Sequence, residues 1–254
     1  MSILAEYIKS KFKGILVFGD IHGDYKSLMT AYEYAEQNNY FFLSLGDLVD
    51  RGPYPFEVVE CMSTLINAGR AGFTVGNHDD KFYRYYKGAS VTMSNDAIQT
   101  LIDVGDNRKE SFLSMYAEII ENTNYSNIFH EFDDIVLVHA ASHDSIWDKT
   151  KKFNKSAKHS ALYGEVNDEI YETGFPIRMY NWVDNIPSNK TVIVGHDRAP
   201  IHNVAITEPL IKINNAGGKA VFIDTGCGKG GFLSGAVIDI EDNVFKFKNF
   251  VDFK

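Results

Sequence analysis

The 254-residue sequence is acidic, with a formal charge of −9 and a pI near 5.3, which argues against broad electrostatic binding to nucleic acid or to an anionic membrane. With 44% hydrophobic residues it has the apolar content of one large globular domain, so a single domain over residues 1–254 is expected. Its two cysteines, Cys61 and Cys227, are too few and too far apart for a disulfide framework or a zinc–thiolate site, and a reducing cytoplasm is the expected compartment. Glu6, Lys9, Lys11 and Lys13 interrupt the first apolar residues, so no signal peptide is read there, and no membrane partner is expected.

Three short apolar runs, Ile15 to Phe18, Phe41 to Leu45 and Phe73 to Val75, alternate with two stretches of helical period and predict a βαβαβ unit. Tyr25, Leu28, Met29 and Tyr32 share one face of the first helix. Val58, Met62, Leu65 and Ile66 share one face of the second, with Pro55 suited to its first turn and Gly69 to its C-terminal cap. From about residue 80 to 132 the pattern is polar, aromatic and helical, predicting a cap-like insertion over the core. Phe82, Tyr83, Tyr85 and Tyr86 are expected to pack within that cap rather than form a base-stacking platform. Ile135 to Val138, Val192 to Val194, Ala220 to Ile223 and Phe232 to Ile240 read as strands, the last entering a hairpin with Val244 to Phe250. Lys149 to Pro187 reads as a long irregular loop, and its lysines Lys149, Lys151, Lys152, Lys155 and Lys158 as a solvated charge run.

The residues that carry chemistry follow the strand-like runs. Asp20 and His22 follow the first, Asp47, Asp50 and Arg51 the second, and Asn77 and His78 the third. His139 and His196 end two later strands. In α/β sheets the C-terminal strand edge is where sites assemble, so five segments are expected to converge on one rim, with flanking glycines turning the backbone sharply beside it. Each piece alone reads as an ordinary turn or ion pair, because Asp is a good turn former and His tolerates partial burial. Independent turns, however, have no reason to place Asp, His, Asp, Asn, His and His in order at successive strand ends. Two carboxylates, one amide and three imidazoles without a thiolate suit Mn²⁺, Fe²⁺ or Zn²⁺ better than Ca²⁺. Six such side chains exceed the needs of one catalytic ion and divide over two if a carboxylate bridges them.

The motifs GDIHG, GDLVDRG and GNHD, with two later histidines, resemble the PPP family of calcineurin-like metallophosphoesterases, which includes Ser/Thr protein phosphatases and diadenosine tetraphosphatases. GNHDDKFYRYYKG, ALYGE, PIRMYNW ahead of VGHD, and FIDTGCGKGG are similar to the bacterial branch of PrpE-type phosphatases and the phosphatase domain of polynucleotide kinase-phosphatase, over roughly residues 14 to 240. The resemblance implies an αββα fold, a β-sandwich flanked by helices, and two divalent cations, manganese foremost with iron or zinc as alternatives. Asp20, His22 and Asp47 would hold one ion, and Asp47, Asn77, His139 and His196 the other. Arg51 and Arg178 would grip phosphate, His78 would act as general acid held by Asp50, and Asp224 would lie close behind the metals. Asp79 departs from the family's usual Glu, and Ala140-Ala141 from a glycine pair found in many protein phosphatases.

The implied reaction is hydrolysis of a phosphate monoester, on a phosphoprotein or a small ester. The alternatives are a nucleotide-directed hydrolase, acting on dinucleoside polyphosphates or RNA-end phosphates, and a scaffold that keeps the fold without catalysis. Asp224-Thr225-Gly226 matches an aspartic-protease motif, but that chemistry needs two copies and the chain has one. Gly226 to Gly231 lacks the Ser or Thr of a P-loop and reads as a hairpin turn. His130, His143, His159 and His202 fall outside the motifs and read as surface or supporting residues.

Overall fold

The computed structural model describes residues 2–170, 176–198 and 208–253. A first helix, α1 (Ile3–Lys11), leads into β1 (Gly14–Phe18), α2 (Tyr25–Asn38), β2 (Tyr40–Ser44), α3 (Pro55–Asn67) and β3 (Ala71–Thr74), the predicted βαβαβ unit. Pro55 opens α3, where its missing N–H costs nothing, and Gly69 leaves the helix at φ +66°. Three helices follow, α4 (Asn77–Tyr86), α5 (Asn95–Val104) and α6 (Asp106–Glu121), then β4 (Ser126–Asn127), β5 (Phe129–Phe132) and β6 (Ile135–Val138).

The remaining elements are α7 (Lys155–Tyr163), β7 (Glu165–Ile170), β8 (Pro176–Met179), β9 (Thr191–Val194), β10 (Leu210–Ile213), β11 (Lys219–Phe222), β12 (Leu233–Glu241) and β13 (Val244–Phe253). One sheet has the order β13-β12-β1-β2-β3-β4 and the other β10-β11-β9-β6-β5.

Strand alternation builds four layers. Leu16, Phe18 and Phe42 point outward into a core shared with α2 and α3, whereas Ile15, Val17, Phe41 and Leu43 point inward. Leu137, Ile193 and Val221 of the second sheet meet that inner face, while Val136, Val138, Val192, Val194 and Phe222 pack outward on Trp182 and Ala161. A side-chain period of two therefore gives each sheet two buried faces, which is why these strands are continuous apolar runs. The result is the expected αββα sandwich. No helix among the described residues is long and apolar enough to cross a membrane.

Four details differ from the sequence reading. The helical stretch ends at Glu121, and the residues after it close the edges of both sheets as β4 and β5, where buried His130 and Phe132 alternate with Phe129 and Glu131 in strand period. Helices α4 to α6 share the core of α2 and α3 through Phe82, Phe112, Tyr116 and Ile119, so the insertion is built into the outer layer. Lys149 to Pro187 holds α7 and the β7–β8 hairpin in place of an irregular loop. Gly226 to Gly231 carries the chain from β11 in one sheet to β12 in the other, whereas the β12–β13 turn at Asp242-Asn243 has two positive φ angles, as a tight hairpin requires.

Candidate active site

The parallel strands of both sheets end at one rim. Val136, Val192 and Ala220 lie side by side, as do Leu137, Ile193 and Val221, so the chain leaves β6, β9 and β11 in step at His139, His196 and Asp224. β1 and β2 pair in register from Gly14↔Tyr40 to Phe18↔Ser44 and release Asp20 and Asp47 together. His139 ties the two sheets by donating its Nδ1–H to the Leu45 carbonyl at 2.7 Å, and the His196 N–H donates to Asp20 Oδ1 at 2.8 Å.

Backbone conformation marks the same rim. His22, Asp47, Asp50, Arg51 and His196 all have φ between +48° and +75°, a region costly for side chains with a Cβ, and they are five of the nine such residues among those described. The adjoining glycines make room. A Cβ on Gly76 would lie 2.3 Å from Asp47 Oδ1, and one on Gly195 would lie 2.5 Å from Asp20 Oδ1.

Two groups of ligand-type atoms result, and Asp47 belongs to both. Asp20, His22 and Asp47 bring ligand atoms within 4.8 Å of one another, and so do Asp47, His139 and His196. His22 Nε2 lies 3.4 Å from Asp20 Oδ2 and 4.0 Å from Asp47 Oδ2. His139 Nε2 lies 3.1 Å from both Asn77 Oδ1 and His196 Nδ1, and 3.5 Å from Asp47 Oδ2.

The donor chemistry fits a cation in each group. Nδ1 of His22 donates to the Val49 carbonyl at 2.8 Å as that of His139 does to Leu45, so each Nε2 presents a bare lone pair to its oxygen neighbours. Asp20 Oδ2 is buried without a hydrogen-bond partner. Lone pairs facing one another at such distances repel unless positive charge stands among them. Burial disfavours charge on Asp20 and Asp47, yet both carboxyls are held below the usual carboxylate range by the attraction of positive charge where the imidazoles face them. Burial, with the Arg178 guanidinium nearby, keeps His196 neutral, the form that binds a metal.

The predicted acid and its partner sit beside the shared carboxylate. His78 is in the first turn of α4, its Nδ1 in close contact with Asp50 Oδ2 and its Nε2 3.8 Å from Asp47 Oδ2. Burial works against the imidazolium, but Asp47 and Asp50 overcome it and raise the pKa of His78. Asp79 anchors the whole loop set, accepting from the N–H groups of Asp47 at 2.7 Å, Gly76 at 2.8 Å and Leu48 at 3.1 Å, and from the Tyr116 hydroxyl at 3.0 Å. Burial and the nearby Asp47 push its carboxyl up to about 6.

The two predicted phosphate arginines differ. Arg51 Nη1 reaches to 3.2 Å from His22 Nε2 and its Nε donates to Asp96 at 3.3 Å, so it lies at the ligand-type groups. Arg178, on β8, lies close to His196 but is held by protein partners, with Nε 3.4 Å from Asp197 Oδ1 and Nη1 on the Tyr163 carbonyl. Asp224 is buried next to Asp20, and Lys229 Nζ spans the two, 3.4 Å from Asp224 Oδ2 and 3.7 Å from Asp20 Oδ2. Ala141 packs in the outer core with Ile146 and Ala161 and stays off the rim.

Of the histidines outside the motifs, His130 is buried, against its reading as a surface or supporting residue near the site. It donates to the Phe73 carbonyl at 3.0 Å under the sheet. His202 lies outside the described residues. Phe82 stacks on Tyr116 in the core, as expected, while Tyr86 is exposed.

Sequence reasoning did not single out Asp96, Thr100, Tyr116, Asp197 or Lys229. For Thr100 and Tyr116 a signal was present, because each is the polar member of a buried helical stripe, Ala97-Thr100-Val104 and Phe112-Tyr116-Ile119, and a buried hydroxyl requires a partner.

Comparison with known proteins places this rim in context. The family model of calcineurin-like phosphoesterases matches residues 14–220. The asymmetrical bis(5′-nucleosyl)-tetraphosphatase PrpE of Halalkalibacterium halodurans is 28% identical over 231 residues, covering 86% of this chain and 87% of its own. The protein of the same name from Bacillus subtilis is 28% identical over 232 residues, with 86% and 88% covered. A protein serine/threonine phosphatase from Saccharomyces cerevisiae superposes with a TM-score of 0.53 over 99% of this chain and 86% of its own, at 12% identity, a likeness of fold alone.

Proposed function

Because the chain belongs to the calcineurin-like phosphoesterase family and is a phosphoric ester hydrolase, we propose that it cleaves dinucleoside polyphosphates asymmetrically, with two divalent cations, manganese foremost, in a cytoplasmic setting. The observation that carries the chemistry is the sharing of Asp47 between two ligand groups with His78 beside it. The substrate class is supported by the PrpE relatives, which match most of both chains.

Asp20, His22 and Asp47 would hold one cation, and Asp47, Asn77, His139 and His196 the other. When bound, such a pair supplies Lewis-acid polarisation of phosphoryl oxygen and a nucleophilic water at neutral pH. Arg51 matches phosphate oxygens through a planar fork of donors and neutralises part of their charge. Asp50 holds the ring of His78 by Nδ1 and leaves Nε2–H facing the rim, where it can protonate a departing oxygen. Arg178 is fixed through Nε by Asp197 and through Nη1 by the Tyr163 carbonyl, so a substrate oxygen would meet its remaining donors.

A second reading, hydrolysis of phosphate monoesters, is favoured by one feature. The His78–Asp50 pair is of most use to a leaving alkoxide, which needs a proton far more than a leaving phosphate does. A substrate panel with Mn²⁺ separates the two: diadenosine tetraphosphate, alkyl and aryl phosphates, a phosphopeptide, and RNA with terminal phosphates. The proposal expects the highest kcat/KM on diadenosine tetraphosphate, with ATP and AMP as products. A clear preference for the monoesters would reject it in favour of the second reading.

A further inference from the structure

One face of α5 reaches two consecutive site residues. Thr100, 2% exposed, donates its hydroxyl to Asp50 Oδ1 at 2.8 Å, while Oδ2 of the same carboxylate contacts His78. Asp96, one helical turn earlier, accepts from Arg51 Nε at 3.3 Å. Asp50 and Arg51 have φ of +72° and +75°, and neither is glycine, so their conformation is costly and persists only if contacts hold it.

The two contacts have different consequences. The Asp50 carboxylate is fully buried, and its Oδ1 hydrogen bond fixes the rotation of the carboxylate plane and through it the ring of His78. The Asp96 side chain is half exposed, at 49%, and a carboxylate on the guanidinium occupies the place a phosphate oxygen would take.

We propose that α5 is a positioning element for the site: Thr100 sets the orienter of the general acid, and Asp96 holds Arg51 ready while competing with phosphate for it. This rests on the proposed reading of His78 as acid and Arg51 as phosphate ligand. Neither residue need touch the reacting atoms, so both are positioning residues and their effects separate kinetically.

The test uses the full chain loaded with Mn²⁺. Thr100→Val keeps the shape and removes the donor. It should lower kcat about tenfold on alkyl phosphates and much less on p-nitrophenyl phosphate, and Thr100→Ser should restore the loss. Asp96→Asn should tighten inorganic phosphate two- to fivefold, roughly the worth of an exposed ion pair, and lower KM more than it changes kcat. Equal losses on both esters in Thr100→Val, or failure of Thr100→Ser to restore them, would overturn the Thr100 assignment. Unchanged phosphate affinity in Asp96→Asn would overturn the other half. Calorimetric phosphate binding needs no turnover, so it decides the Asp96 contact even if the wild-type protein hydrolyses neither ester, an outcome that rejects only the monoester reading. Thr100→Val and Thr100→Ser are then compared on diadenosine tetraphosphate, where an unchanged kcat in Thr100→Val would overturn the Thr100 assignment.

Discussion

His78 touches Asp47 twice: its backbone N–H donates to Oδ1 at 3.0 Å, and its Nε2 lies 3.8 Å from Oδ2. The residue proposed to supply the proton is thus tethered, through the first turn of α4, to the carboxylate common to both ligand groups. Asp47→Asn leaves an oxygen to accept from His78 but replaces a charged bridge by a neutral amide. It should reduce bound metal from two ions to one and lower kcat by at least about a hundredfold, since even supporting residues of metal sites cost 10–100-fold. Two ions retained with near-normal turnover would remove Asp47 from the bridging position.

A general acid matters in proportion to how poorly the leaving group departs unaided. His78→Ala is expected to lose on the order of 10² to 10⁴ in kcat on alkyl phosphates and far less on p-nitrophenyl phosphate, with metal content unchanged. Steady-state kinetics on a series of leaving groups, beside elemental analysis of the purified variant, would check it. A loss independent of leaving group would assign His78 a structural role.

Much of this site could be read from sequence because each ligand-type residue immediately follows a strand, and a strand's end fixes where the next residue lies. Asp20, Asp47, His139 and His196 needed only that rule and the period of the runs before them. What escaped lies on helices that reach the site from the side. Thr100 and Tyr116 are the polar members of apolar helical stripes, which says that each hydroxyl needs a partner but not that Asp50 and Asp79 supply it. Lys229 sits in a glycine-rich crossover whose path between the sheets no local pattern encodes. The strands β4 and β5 were hidden because two- and four-residue edge segments carry too few alternations to stand out from a helical stretch.

His130 offers a pH prediction away from the metals. Burial lowers its pKa from 6.5 to about 4, while the Phe73 carbonyl pulls weakly the other way. The unfolded chain therefore takes up a proton that the native ring excludes. The stability this confers is fully present above pH 6.5 and is lost as pH falls through 4, by up to about 3 kcal/mol. His130→Gln keeps a donor without titrating, so the wild-type and variant stability curves from denaturant melts should converge or cross between pH 6.5 and 4. Parallel curves over that range would show that His130 is protonated in the native state.

The lysine run divides in two. Lys149 and Lys151 lie 3.3 Å from Glu131 and 2.9 Å from Asp144, whereas Lys158 pairs at 3.2 Å with Asp80, two residues beyond His78, and Lys155 is exposed one turn earlier on α7. Replacing Lys155 and Lys158 by Ser should raise KM for diadenosine tetraphosphate and flatten its salt dependence, with little effect on a small aryl phosphate. The same change at Lys149, Lys151 and Lys152 should do neither. Identical salt curves for both variants and the wild type would end any role for the run in guiding polyanions.

The central claim, a two-cation phosphoesterase directed at dinucleoside polyphosphates, meets its most direct test in one titration. Metal-free protein is reloaded with Mn²⁺ while bound metal and diadenosine tetraphosphate hydrolysis are followed together. The account predicts no turnover without metal, and activity that rises as the second equivalent binds and yields ATP and AMP. Full turnover by the metal-free protein, or two bound ions with no cleavage of the dinucleotide, would contradict it.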